Sequence, residues 1–272
     1  MAVYNHSFVF EFEQQYDRVS FREYMQRHWR DSFIYSAVYV LVVFSGKKWM
    51  ENRPRYELRP YLALWSALLG VFSIFGAVRT VPELVSSVRD YGMEYSLCNP
   101  VYLEGVTGFW CCMFAVSKVY ELGDTIFIVL RKQQLIFLHW YHHITVLIYV
   151  WYMYPANLGF GRWFMGMNYT VHSIMYTYYA VRAMKFQVPK FVSMIITILQ
   201  LSQMIAGFVV TYMTYLLNLK GIKCSLNDQP IKYGMIMYGT YFILFAHFFY
   251  STYIAEKPRL HTSEITDGKK MS

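Results

Sequence analysis

Seven stretches without acidic residues, or nearly so, follow one another along the chain, each long enough to cross a bilayer as a helix of about 20 residues. They cover residues 32–50, 61–81, 108–130, 135–154, 163–181, 191–217 and 233–255. The segments between them are short, and we find no internal repeat and no low-complexity segment. The pattern predicts an all-α, polytopic membrane protein with seven transmembrane helices. We expect one membrane domain over residues 1–272, with a cytosolic tail at 256–272.

The composition agrees with a membrane protein and excludes several other classes. Hydrophobic residues make up 56% of the chain, aromatic residues 20% and charged residues 15%, whereas soluble domains have about 25% charged residues. So few charges cannot cover a water-soluble surface, and the basic residues lie in short gaps rather than on one face. We therefore exclude a disordered chain, a disulfide-rich secreted module and a nucleic-acid-binding protein. The charged first 30 residues do not have the pattern of a cleavable signal peptide.

The gaps between spans differ in their content of Lys and Arg. The gaps at 47–59, 131–132 and 182–190 and the tail at 257–270 are rich in these residues, and the opposite gaps have fewer. Because cytosolic loops carry an excess of Lys and Arg, this predicts a lumenal N-terminus and a cytosolic C-terminus. The sequon at Asn5 could be glycosylated only in that orientation.

Two features outside the spans indicate the cellular compartment of the protein. The terminal Lys269 and Lys270 resemble the dilysine signal that retrieves membrane proteins to the endoplasmic reticulum. Cys98 and Cys224 lie in the two longest lumenal gaps, where oxidising conditions permit a disulfide. Two free thiols are the alternative, because four cysteines allow three pairings.

Five of the predicted spans contain ionisable or amide side chains, which are costly in lipid and mark candidate functional sites. At a rise of 1.5 Å per residue, they lie about 6 to 18 Å from the cytosolic end of their spans, although the span direction alternates. This predicts a polar chamber in the cytosolic half, and a lumenal half that is almost purely apolar and aromatic. The candidate residues are Lys118, Glu121, Asp124, His139, His142, His143, Asn168, His172, Tyr176, Tyr179, Thr197, Gln200, Gln203 and His247.

Helical spacing places several of these residues on shared faces. His139, His142 and His143 follow the i, i+3, i+4 pattern and form one stripe. Lys118, Glu121 and Asp124 step by three, which allows a lysine–carboxylate pair with one acid left over. For some of these residues, simple packing in the protein interior is the alternative to a functional role. This alternative applies above all to His247, Gln200, Gln203 and the tyrosines.

Two kinds of chemistry use histidine clusters of this type. A membrane desaturase or hydroxylase ligates two irons through several histidine boxes, and this chain has one box. A single zinc ion could be ligated by two of the histidines and one acidic side chain. Metal-dependent oxidation of a fatty acid therefore stays the alternative function.

Nucleophilic catalysis by imidazole fits the rest of the pattern. A neutral imidazole can attack a thioester to give an acyl-imidazole, and coenzyme A is a cytosolic polyanion. Basic residues flank the cytosolic mouth of the predicted chamber, where they could bind coenzyme A while a fatty acyl chain extends into the apolar half. These mouth residues are Arg131, Lys132, Lys185 and Lys190.

Four segments resemble the motifs of the ELO family of very-long-chain fatty acid elongases, which are 3-ketoacyl-CoA synthases. They are KVYELGDT at 118–125, HWYHH at 139–143, NYTVHSIMYTYY at 168–179 and TILQLSQ at 197–203. All four have the order and spacing of the family, and the resemblance covers nearly the whole chain.

The resemblance implies a reaction and roles for these residues. A long-chain acyl-CoA would condense with malonyl-CoA to give 3-ketoacyl-CoA, CO₂ and CoA, by a ping-pong mechanism with His142 as nucleophile and His172 facing it. His139 and His143 would orient or deprotonate His142. Supporting roles would fall to Glu121, Asp124, Asn168 and Gln203.

Further properties are implied by the same resemblance. Six of the seven spans would enclose a barrel around an acyl-CoA tunnel, and Cys98–Cys224 has a counterpart in the family. No cofactor is expected beyond the two substrates, and saturated or monounsaturated chains such as palmitoyl-CoA would be preferred. The expected partners are membrane lipids and the ketoacyl reductase, dehydratase and enoyl reductase of the elongation cycle. A homodimer is also compatible with the sequence.

Overall fold

A computed structural model describes residues 4–224 and 228–255, and this part of the chain forms helices and turns without strands. The all-α prediction is therefore confirmed. Short 3-10 turns follow α4, α5 and α7, and a π-turn follows α10. The α-helices are α1 (Glu11–Gln14), α2 (Arg18–His28), α3 (Asp31–Met50), α4 (Arg59–Cys98), α5 (Gly105–Tyr120), α6 (Asp124–Leu130), α7 (Phe137–Met153), α8 (Gly161–Ala183), α9 (Lys190–Leu219) and α10 (Gln229–Phe249).

The helix α4 is much longer than the span predicted at 61–81. It has 40 residues, or about 60 Å of helix, against about 30 Å for the hydrocarbon core of a bilayer. The apolar pattern ends at Pro82 and Glu83, but the helix does not, because Glu83 is buried in an ion pair with Arg162 of α8. The helical backbone is broken at Gly92, which has a φ of 86° that favours glycine. Charge therefore marks the end of the apolar stretch rather than the end of the helix.

Two of the described helices, α4 and α9, are long and apolar enough by themselves to cross a membrane. The outer surface of the bundle is also apolar, since Leu41, Leu64 and Ile243 are each at least 60% exposed. Several charged and amide side chains, by contrast, are buried. A polar interior beneath an apolar exterior is the arrangement expected of a protein surrounded by lipid.

Packing between the helices follows a cyclic order. The most extensive contact joins α4 and α8, and α8 also packs against α9, α9 against α10, and α10 against α7. In turn, α7 packs against α5, and α5 packs against α4. The helix α3 lies beside this group, where it contacts α6 and α7. Each of the six helices in the cycle therefore has a neighbour on both sides.

The half of the bundle that contains the N-terminal segment is more polar than the sequence suggested. Glu13 is 2% exposed, and it accepts hydrogen bonds from Arg79 Nε at 2.8 Å and Trp110 Nε1 at 2.7 Å. Burial alone would raise the pKa of Glu13, but these hydrogen bonds outweigh it and hold the pKa below its ordinary value. The expectation of an almost purely apolar half is wrong here, because buried Arg79 and Arg162 each pair with an acid from another segment.

Close packing of α4 on α8 depends on a glycine. A Cβ atom built at Gly76 would lie 2.3 Å from Cε1 of Tyr169, whose ring is buried and whose hydroxyl donates to the carbonyl of Trp110. The ring therefore occupies the space that any larger residue at position 76 would need. Around a Cβ built in the same way at Gly239 on α10, no described residue beyond the adjoining helix backbone has an atom within 4 Å.

We expect Gly76→Ala to destabilise the protein by about 1 to 3 kcal/mol, because the added methyl group overpacks the contact with Tyr169. Gly239→Ala is the matched control, and it should stabilise the protein slightly, since alanine favours a helix over glycine. Thermal unfolding of both variants in the same detergent measures the difference. Equal melting temperatures would contradict this description of the α4–α8 contact.

Candidate active site

A basic cavity opens at the end of the bundle where α4 begins and α6 and α8 end. Its volume is about 620 Å³. Four cations from three segments line it, namely Arg59, Arg131, Arg182 and Lys185. Aromatic side chains, including Tyr178 and Phe186, also line it, together with aliphatic and neutral polar residues and Asp124. We call this space the outer cavity, and its charge suits a polyanionic ligand.

A second space, the inner cavity, has a volume of about 160 Å³ and contains the histidines. Its polar lining comes from α6, α7, α8 and α9, and its apolar lining includes Met204, Phe245 and Phe248. The helical spacings predicted from the sequence explain why these side chains face the same space. The predicted residues that line it are Asp124, His139, His142, His143, Asn168, His172, Tyr176, Tyr179, Gln200 and Gln203.

The two cavities are adjacent, because Asp124, His139, Tyr176 and Tyr179 line both of them. Two hydrogen bonds hold the Asp124 carboxylate, one from Trp65 Nε1 and one from the Tyr176 hydroxyl, each 2.7 Å long. A molecule bound in the outer cavity could therefore extend past these four residues to the histidines.

A buried polar network fixes the orientation of His172. The Lys118 ammonium is 1% exposed and donates to Glu121 Oε1 at 2.7 Å and to Asn168 Oδ1 at 2.9 Å. An ammonium can only donate, so the Asn168 amide must present its oxygen to Lys118 and its NH₂ group to His172 Nε2, at 3.0 Å. The proton of neutral His172 is then on Nδ1, which lies 3.9 Å from Glu121 Oε1.

The three histidines of α7 have different environments. His139 Nε2 is 2.9 Å from the hydroxyl oxygen of Thr125. His143 Nδ1 is buried and has no hydrogen-bond partner among the described residues. Neither ring nitrogen of His142 is hydrogen-bonded to another residue within 4–224 and 228–255. Both nitrogens keep some accessible surface, since neither is among the fully buried atoms that lack a partner. The ring of His142 is therefore uncommitted and faces open space in the inner cavity.

The helix α10 packs against His142 through Tyr241, whose ring centroid is 4.9 Å from that of the imidazole. The Tyr241 side chain is 1% exposed, and its hydroxyl oxygen is 2.6 Å from that of Thr145. The same hydroxyl is 3.3 Å from the carbonyl oxygen of His142. Tyr241 thus limits the positions that the His142 ring can adopt.

Some predicted residues do not reach either cavity. His247 is exposed on the outer face of α10, because helical spacing turns Phe245 and Phe248 inward instead. Lys132 donates to the carbonyl of Glu51, away from the outer cavity, and Lys190, the first residue of α9, does not line that cavity either. Lys118 and Glu121 lie behind Asn168 and His172 and do not line the inner cavity.

Sequence reasoning missed several residues of the site. Thr125 was within a recognised motif and carries a hydroxyl in an apolar span, which is a usable signal. Arg59 was counted only as one charge in a basic gap. Trp65, Tyr39 and Tyr241 are aromatic residues among many, and only the packing shows that their polar atoms are used in hydrogen bonds.

The remaining predicted features are distributed around the bundle. Cys98 and Cys224 are joined by a disulfide, and Cys111 and Cys112 are free. Asn5 is exposed. Thr197 is hydrogen-bonded to the Ser193 carbonyl on its own helix. Lys269 and Lys270 lie outside the described residues. No group of three His, Cys, Asp or Glu side chains in the described part of the chain is placed so that it could hold a metal ion.

Comparison with known proteins agrees with the four motifs. The model of the ELO, GNS1/SUR4 family matches residues 24–260. The chain is 50% identical over 255 residues to very long chain fatty acid elongase 6 of Drosophila melanogaster, which covers 92% of this chain and 81% of that protein. It is 45% identical to human very long chain fatty acid elongase 6, with 94% of this chain and 96% of that protein covered.

A more distant relative, very long chain fatty acid elongase 3 of Mus musculus, is 40% identical over 252 residues and covers 91% of this chain and 92% of that protein. The residues matched by the family model include both cavities and all seven predicted spans. These matches confirm the resemblance recognised from the motifs. The chain belongs to the ELO, GNS1/SUR4 family of fatty acid elongases.

Proposed function

We propose that this protein is a 3-oxoacyl-CoA synthase that condenses a long-chain acyl-CoA with malonyl-CoA through an acyl-imidazole on His142. One observation carries the assignment of the nucleophile. His142 lines the inner cavity, and no side chain among the described residues is hydrogen-bonded to its ring nitrogens. A lone pair already engaged in a hydrogen bond is a poorer nucleophile, as would be the case for His139 and His172.

In the first half-reaction, a ring nitrogen of His142 attacks the thioester carbonyl carbon of the acyl-CoA. A C–N bond forms and the C–S bond breaks, and the imidazole proton leaves with the CoA sulfur as a thiol. The acyl chain stays on His142. His143 can pass on the proton, because its ring centroid is 5.6 Å from that of His142 and its Nδ1 has no hydrogen-bond partner among the described residues.

In the second half-reaction, malonyl-CoA occupies the outer cavity and loses CO₂. The electrons of the broken C–C bond form an enolate, whose carbon attacks the acyl carbonyl on His142. The new C–C bond forms as the C–N bond breaks, and the imidazole takes up one proton from the solvent, because its own proton left with the CoA thiol in the first half-reaction. The product is a 3-ketoacyl-CoA two carbons longer than the substrate.

The outer cavity suits the coenzyme A part of both substrates. Positive charge comes from Arg59 at the start of α4, Arg131 just after α6, Arg182 in the last turn of α8 and Lys185 just after α8. Phosphate groups are bound well by arginine because the guanidinium can donate two parallel hydrogen bonds. Lys132 and Lys190 are not needed for this role, since neither lines the cavity.

The acyl chain would extend from His142 away from the basic mouth. A small cavity of about 40 Å³, the end cavity, lies in that direction and is lined by apolar side chains that include Val150, Phe164 and Met165. On α8, Phe164 and Met165 are one helical turn from Asn168 of the inner cavity. The cyclic packing of α4, α5, α7, α8, α9 and α10 supports a six-helix barrel around this path, with α3 as a seventh span outside it.

The cellular setting follows the same proposal. We propose a single multi-pass domain in the endoplasmic reticulum membrane, with the basic outer cavity facing cytosolic coenzyme A and the exposed Asn5 in the lumen. No resident cofactor is required by the two half-reactions. The product would pass to a ketoacyl reductase, a dehydratase and an enoyl reductase. A saturated or monounsaturated C16 chain such as palmitoyl-CoA is the substrate we propose first.

Purified protein should condense palmitoyl-CoA with labelled malonyl-CoA, and the reaction should continue in a metal chelator. An acyl-imidazole mechanism needs no metal ion, whereas desaturation or hydroxylation needs iron and oxygen. The measurement is the labelled 3-ketoacyl product with and without the chelator. Activity that disappears with chelation and returns with iron would favour the alternative function.

His142→Ala should lower condensation by at least about 10³-fold, as expected when a covalent nucleophile is removed. Intact-protein mass spectrometry with palmitoyl-CoA alone should show an acyl adduct on the unsubstituted protein and none on the variant. His247→Ala is the matched control, because His247 is exposed on the outer face of α10. A folded His142→Ala variant with near-normal turnover would exclude the mechanism.

Changing the size of the end cavity should change the product length. Val150→Phe should fill it and shift the products to shorter chains by one or two two-carbon units, and Phe164→Ala should allow longer chains, because the wall limits the acyl tail. Ile198→Phe, on the outer surface of α9, is the control. Product analysis by gas chromatography that showed the same distribution in all three variants would oppose this path for the acyl chain.

A further inference from the structure

The helix α3 lies outside the cyclic packing of the other helices, but one of its side chains is connected to the site. Tyr39 is 6% exposed, and its hydroxyl oxygen is 2.7 Å from that of Thr125 on α6. Thr125 is completely buried, and its hydroxyl oxygen is 2.9 Å from His139 Nε2. A continuous hydrogen-bonded chain therefore joins Tyr39, Thr125 and His139.

The proton count determines the direction of this chain. Each hydroxyl has one proton to donate. If His139 Nε2 donated to Thr125, Thr125 would donate to Tyr39, and the Tyr39 proton would have no acceptor in the described part of the protein. A buried donor without an acceptor is unfavourable. In the opposite direction, Tyr39 donates to Thr125 and Thr125 donates to His139, so that every proton is used.

The second direction places the proton of neutral His139 on Nδ1. This nitrogen makes no hydrogen bond to another described residue, and it is not among the fully buried atoms that lack a partner. It therefore keeps some accessible surface. His139 lines both the outer and the inner cavity. An acyl-CoA with its coenzyme A part in one cavity and its acyl chain in the other must place its thioester at this junction.

We propose that Tyr39 and Thr125 are positioning residues, which hold His139 with its Nδ1–H available to the thioester carbonyl oxygen. The inference rests on the proposed condensation. As His142 attacks, negative charge develops on that oxygen, and a fixed donor stabilises it more than it stabilises the substrate. The first membrane helix would thereby contribute to catalysis without lining a cavity.

The test compares Tyr39→Phe, Thr125→Val and the double variant in the full-length protein. Each single substitution should lower kcat about tenfold, because the donor is no longer fixed, and change KM by less than about twofold. The double variant should be no slower than Thr125→Val alone, since Tyr39 acts only through Thr125. Thr125→Ser keeps the hydroxyl and should restore most of the activity.

Tyr35→Phe is the matched control. Tyr35 lies one turn before Tyr39 on the same helix, is 39% exposed and has ring contact with Trp151. It should leave kcat unchanged. Melting temperatures of all variants separate this role from general destabilisation, and Tyr39→Phe, which removes a single oxygen atom, remains informative if Thr125→Val does not fold.

The results also distinguish this inference from the proposed function. Equal kcat values for Tyr39→Phe and Tyr35→Phe would overturn the inference, as would losses at positions 39 and 125 that multiply in the double variant. In both cases the unsubstituted protein would still condense its substrates. Failure of the proposed function would show instead as absence of condensation in the unsubstituted protein.

Discussion

The arrangement of the site depends on the hydrogen bonds that the buried Lys118 ammonium donates to Glu121 and Asn168. A buried charge must be paired and hydrogen-bonded, or its desolvation is too costly. Lys118 meets this requirement through Glu121 and Asn168, and it thereby fixes which end of the Asn168 amide faces His172. A charge that touches neither cavity thus determines the tautomer of a histidine that lines one of them. Low polarity around the network makes each of these hydrogen bonds stronger.

The helix α8 connects the three spaces that the substrate would occupy. Phe164 and Met165 line the end cavity, Asn168 and His172 line the inner cavity, and Arg182 lines the outer cavity. At 3.6 residues per turn, these five positions fall within about 100° of one another around the helix axis and therefore lie on one face. Their chemistry changes along that face from apolar through neutral polar to cationic. This gradient matches an acyl-CoA, which is apolar at one end, has a thioester in the middle and is anionic at the other.

The histidine motif gains its chemical meaning from what surrounds each ring. Hydrogen bonds hold the rings of His139 and His172, whereas the ring of His142 makes none to any residue that the structure describes. His143 is buried beside them, and its Nδ1 has no partner within the described part of the chain. Four similar side chains can therefore have different tasks, because an imidazole is a donor, an acceptor or a nucleophile according to which of its nitrogens is engaged.

The sequence by itself determined the all-α class, the family and most of the inner cavity, because helical periodicity places residues such as His139, His142 and His143 on one face. The spacing of three residues between Lys118 and Glu121 also allowed an ion pair, which the structure contains. Tertiary structure alone decided that His247 faces outward, that α4 continues beyond Pro82, and that Glu13 and Arg79 are buried together. It also decided that Tyr39 reaches Thr125. The physical reason is that periodicity acts within one helix, whereas these outcomes depend on which side chain of another segment supplies the partner.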